Sequence, residues 1–73
     1  GYSPTILTLL DARVFWAHVV CVIRHASGIW CLDTNGLIQV SDPVIPAILK
    51  LMSENYPKAR YAGAVETEYP FYG

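Results

Sequence analysis

The run Trp16-Ala17-His18-Val19-Val20-Cys21-Val22-Ile23-Arg24, followed after a short turn by Ile29-Trp30-Cys31-Leu32-Asp33, constrains this chain most. Arg13 to Arg24 is dense in Val, Ile and aromatic residues, which fit a pleated surface. His25-Ala26-Ser27-Gly28 has the small and polar residues of a turn. The expectation is a β-hairpin in which Arg24 pairs with Ile29. That register sets Val20 opposite Asp33 and His18 opposite Asn35. Side chains alternate between faces with period two, so His18, Val20 and Asp33 share one face. His18 and Asp33 become diagonal neighbours, about 7 to 8 Å apart at the backbone and within side-chain reach. A slip of one residue would send them to opposite faces. The same register sets Cys31 opposite Val22 on the His18 face. It places Cys21 opposite Leu32 on the other, so no disulfide between the two cysteines is expected.

The elements around this hairpin follow from local signals. Ser3 as a cap, Pro4 at a first helical position and Ile6, Leu9 and Leu10 at helical spacing predict a short helix over about residues 4–12. Thr34-Asn35-Gly36 predicts a second turn, and Leu37 to Val40 a short third strand. Ser41-Asp42-Pro43 announces a helix running to about Asn55, with Ile45, Ile48, Leu49 and Met52 as its apolar stripe. Tyr56-Pro57 ends it, Ala59 to Glu68 reads as a closing strand, and Tyr69 to Gly73 is an aromatic tail. The predicted class is α+β: a short N-terminal helix, an antiparallel sheet of about four strands, and one helix before the last strand.

At 73 residues the chain is one small domain or part of one. Hydrophobic residues make up 53% of it and charged residues 15%, too apolar for disorder and suited to a dense core or a partner surface. Its net charge of −1, with scattered basic residues, lacks the basic stripe that nucleic acid binding requires, so no nucleic acid partner is expected. Val14 to Ile23 is too short to span a bilayer, so no membrane is expected either. Nor does a basic segment precede an apolar one near the start. Two cysteines are too few for a disulfide scaffold and read as free thiols, pointing to a cytoplasmic location. The ligand spacing of a metal centre is absent, and neither a metal nor a cofactor is expected.

A carboxylate beside an imidazole is what a catalytic base and its orienting partner require. His18 and Asp33 are therefore the candidate pair. Taken alone, His18 also fits an edge or interface histidine, and Asp33 a turn residue. Ser3 sits at an expected helix N-terminus, where it serves either as a plain cap or as a nucleophile. Cys21 and Cys31, mid-strand, read as small core residues.

His18, followed by Trp30 and Asp33, then by a helix and a closing strand, resembles the C-terminal half of papain-like cysteine peptidases over about residues 16–66. In layout it is similar to Josephin and ubiquitin C-terminal hydrolase domains and to viral leader proteases. The resemblance implies His18 as general base, Asp33 as its orienter, Ser41 to Asn55 as the helix and Arg60 to Glu66 as the closing strand. Gly1-Tyr2-Ser3 resembles the Gly-Tyr-Cys motif of several viral members, with serine at the thiol position, which implies a weakened or inactivated enzyme. Tyr72-Gly73 resembles a leader-protease self-cleavage junction. The function implied is proteolysis of a protein or peptide substrate, as viral self-processing or deubiquitination. The competing expectation is a non-enzymatic α+β interaction module or subunit, homo- or hetero-oligomeric through apolar and aromatic surface such as Tyr2, Trp16, Tyr56, Tyr61, Tyr69, Phe71 and Tyr72.

Overall fold

The computed structural model describes residues 3–13 and 17–68. Five strands and one helix follow in the order β1 (Ser3–Asp11), β2 (Ala17–His25), β3 (Gly28–Asp33), β4 (Gly36–Val40), α1 (Val44–Asn55) and β5 (Tyr61–Glu68). The strands form one antiparallel sheet in the order β4-β3-β2-β1-β5.

This corrects the expected class at its N-terminus. Residues 3–11 are a strand, and the sheet has five strands with a single helix. The Ile6, Leu9, Leu10 spacing ignored Leu7, and a run of this length satisfies either period. Paired with β2 on one side and β5 on the other, the segment buries Leu7 and Leu9 completely on one face. Thr5, Ile6 and Thr8 are β-branched and favour that extended form. Pro4 lies just before the stretch paired on both sides, where a missing donor disturbs the ladder least.

The β2–β3 hairpin has the expected register: Arg24 pairs with Ile29, Val22 with Cys31 and Cys21 with Leu32. Both tight turns place their positive φ on glycine alone, Gly28 at 151° and Gly36 at 116°, where a side chain would be strained. Helix α1 begins at Val44, after the expected Ser41-Asp42-Pro43, with Pro43 at the cap position and no side-chain cap. Pro46 falls in its first turn, where its missing N–H has no intrahelical partner to lose.

The core forms where α1 lies on the sheet. Val44, Ile48 and Met52, spaced by four, face Leu7, Leu9, Val20, Val22 and Cys31. Burying each large side chain contributes about 1.5 to 3 kcal/mol. The helix leaves edge strand β4 and returns the chain to the opposite edge as β5. Among the described residues no helix is long and apolar enough to cross a membrane. Trp16 and the tail 69–73 lie outside the described residues, as do Gly1 and Tyr2.

Candidate functional site

The hairpin register brings His18 and Asp33 together at one end of the helix-covered face. His18 Nε2 stands 3.6 Å from Asp33 Oδ2. The Asp33 side chain is 1% exposed and that of His18 is 19% exposed, so the pair is screened from bulk water but reachable from one side. His18 Nε2 is buried and makes no hydrogen bond among the described residues. A closure of a few tenths of an ångström turns the 3.6 Å approach into a hydrogen bond, and catalytic contacts are often long before substrate binds. With Nε2 facing the carboxylate, Nδ1 is the ring nitrogen left to exchange a proton with a reacting group.

Asp33 is itself held. The Asn35 backbone N–H donates to Oδ1 at 2.8 Å, and Asn35 Nδ2 lies 3.5 Å from Oδ2. This is the side-chain turn that Asp favours at a hairpin corner. The Asp33 turn role and its role beside the histidine therefore coexist in one carboxylate.

Tyr56 completes the site from the far end of the chain. Its ring lies 4.9 Å from the His18 ring, tilted by 49°. The Tyr56 hydroxyl accepts from Asn35 Nδ2 at 3.0 Å and lies 3.3 Å from Thr34 Oγ1. The β3–β4 turn thus ties Tyr56, the residue that follows α1, over the imidazole. In the sequence Tyr56 reads as a helix stop and as a partner-surface aromatic, and its place over His18 depends on where α1 ends on the sheet.

A cavity of about 410 Å³ opens beside this pair, lined by Asp11, Arg13, His18, Tyr56, Lys58, Ala59 and Tyr61. Asp11 shapes its wall: Oδ1 accepts from Arg13 N at 2.8 Å and Oδ2 from Arg60 N at 3.2 Å. The Arg13 guanidinium donates to the Lys58 carbonyl. Burial, then Tyr56 and Asp11, push the Tyr61 phenol above its ordinary range, so it stays neutral.

The remaining candidates fall away from the pair. Ser3 opens a strand instead of a helix and pairs with Arg24, while His18 pairs with Leu9. Six strand residues, about 20 Å, separate the two positions along β1. Ser3 therefore has neither a helix N-terminus to activate it nor a path to His18. Cys21 is on the opposite face. Cys31 shares the His18 face but is buried in the core, and burial, with Asp33 and Cys21 adding, pushes its thiol up to about 11. It is a packing residue. Among the described residues no group of three or more His, Cys, Asp and Glu could hold a metal ion.

No protein family model, curated protein or solved structure matches the chain.

Proposed function

We propose that this chain carries the base-and-orienter half of a papain-like cysteine peptidase site acting on a protein or peptide substrate. The observation that supports the reading is the approach of a partly accessible imidazole to a carboxylate that is withdrawn from water and fixed by its own turn. In this reading a thiol attacks the scissile carbonyl. His18 takes its proton and returns it to the leaving amine, while Asp33 holds the imidazole tautomer and stabilises the cation that forms. The attacking thiol comes from outside these 73 residues, because Cys21 lies on the opposite face of the sheet, Cys31 is buried in the core, and Ser3 is a hydroxyl far from His18. The substrate strand enters through the cavity beside His18 and Tyr61.

The test is the ¹⁵N spectrum of the imidazole at about pH 8, where an ordinary histidine is neutral. The expected result is a His18 ring protonated at Nε2, with an unprotonated Nδ1, and loss of that single-tautomer signature in Asp33→Ala. A ring protonated at Nδ1, or one unchanged by the substitution, would refute the reading.

A second reading, a protein-interaction module, is favoured by a different observation. The sheet face turned away from α1 exposes Leu10, Val19, Leu32, Leu37 and Val65.

A further inference from the structure

Strand alternation divides the sheet residues into two sets with opposite character. Asp11, Arg24, Asp33, Glu66 and Glu68 are all the Asp, Glu, Lys and Arg residues in the five strands. The register places every one of them on the face that α1 covers. The other face presents Ile6, Thr8 and Leu10 from β1, and Val19, Cys21 and Ile23 from β2. Trp30 and Leu32 of β3, Leu37 of β4 and Val65 of β5 extend it, with the polar His25, Gln39 and Thr67 at its rim. Among the described residues nothing is packed over it: Val19, Leu37 and Val65 are 54%, 59% and 50% exposed. Antiparallel sheets normally put polar residues across a solvated face, so one with an apolar centre, a polar rim and no Asp, Glu, Lys or Arg has the character of an interface.

Its charge and size select the occupant. A face without a fixed charge offers nothing to a charged partner, yet it meets a copy of itself without like-charge repulsion. The strands run to nine, nine, six, five and eight residues. At about 3.3 Å per residue and 4.8 Å between strands, the sheet tiles about 600 Å² in projection. Side-chain relief raises the accessible area above that, toward the roughly 800 Å² per partner of a stable interface. β2 is the central strand, and Cys21 is the middle outward residue along it. We propose that this face docks a second copy of the chain, the two sheets stacking face to face about a twofold axis near Cys21. Such layers lie about 10 Å apart with strands roughly 30° from parallel. The interface shares no residue with the His18 site, so either proposal can fail alone.

Sedimentation of the chain tests this directly. The expected result at about 100 μM, well above the micromolar dissociation constant such an area supports, is a dimer of twice the 8.1 kDa chain mass. Val19→Lys places an unpaired charge at the centre of the interface and should weaken the dimer about 100-fold or more. In a monomer the same lysine faces water, so far-UV circular dichroism should show a folded chain. Lys50→Glu, on the exposed side of α1, should leave the dimer intact. If Val19→Lys does not fold, the wild-type thermal midpoint decides, because mass action raises the midpoint of a dimer with protomer concentration. A wild-type monomer at that concentration overturns the proposal and leaves the face to an unlike partner. A dimer insensitive to Val19→Lys, or a midpoint independent of concentration, also overturns it.

Discussion

Glu66→Gln removes one charge from a three-strand cluster, and its effect should depend on pH in a direction the structure sets. Arg24 of β2 donates to both Glu66 oxygens, at 2.5 Å to Oε2 and 3.1 Å to Oε1. Thr5 of β1, lying between them, donates to Glu66 Oε2. The cluster therefore clamps edge strand β5 to β2 across β1. A pair about 4 Å apart gains roughly 1 to 4 kcal/mol of Coulomb energy between water and an effective dielectric of 20. The Arg24 side chain is 37% exposed and that of Glu66 23%, so solvent screening and side-chain ordering offset most of this. The bidentate geometry retains about 1 kcal/mol. The Arg24 hydrogen bond, outweighing desolvation, holds the Glu66 carboxyl below its ordinary 4.5. A lowered folded-state pKa means stability that is present above 4.5 and lost as pH falls through the folded value. Urea unfolding at about pH 7 should therefore show Glu66→Gln less stable by about 1 kcal/mol, and the thermal midpoint should fall by about 4 to 8 °C for a domain of this size. The difference should shrink below about pH 4 and vanish once Glu66 is protonated in both states. A difference that stays constant from neutral to strongly acidic pH would refute the electrostatic account and reduce the cluster to packing.

Two further outcomes follow from the core and the thiols. Ile48→Ala opens a cavity where α1 meets the sheet, and should cost about 2 to 5 kcal/mol by urea unfolding. Domains of this length hold about 4 to 11 kcal/mol in total, so a loss below 1 kcal/mol would mean that the helix packs loosely. In a Cys21→Ser background Cys31 is the one remaining cysteine, buried, with its thiol pushed up to about 11. It should react with a disulfide reagent at about pH 8 only as fast as the chain opens. A rate near that of a free thiol would contradict its assignment as a packing residue.

The hairpin and its pair were legible before any tertiary information. Turn residues at 25–28 allow one tight register, and period two then puts His18 and Asp33 on one face whatever the rest of the chain does. The same logic separated Cys21 from Cys31. Residues 3–11 were not legible in this way. Ile6, Leu7, Leu9 and Leu10 satisfy a helical and an extended pattern alike, and only pairing with both β2 and β5 selects the strand. That choice also removed Ser3 from the site, because a nucleophile at a helix start depends on the helix. Tyr56 and the Asp11, Arg13 and Tyr61 walls of the cavity come together only once α1 has crossed the sheet and β5 has paired with β1.

By itself the sequence determined the local contacts, whose partners lie within about fifteen residues and whose geometry follows from backbone periodicity. Tertiary structure alone decided the strand order β4-β3-β2-β1-β5, the face that α1 covers and the uncharged face it leaves open. Each of these depends on which long-range burial is most favourable, a comparison among whole arrangements that no single segment encodes.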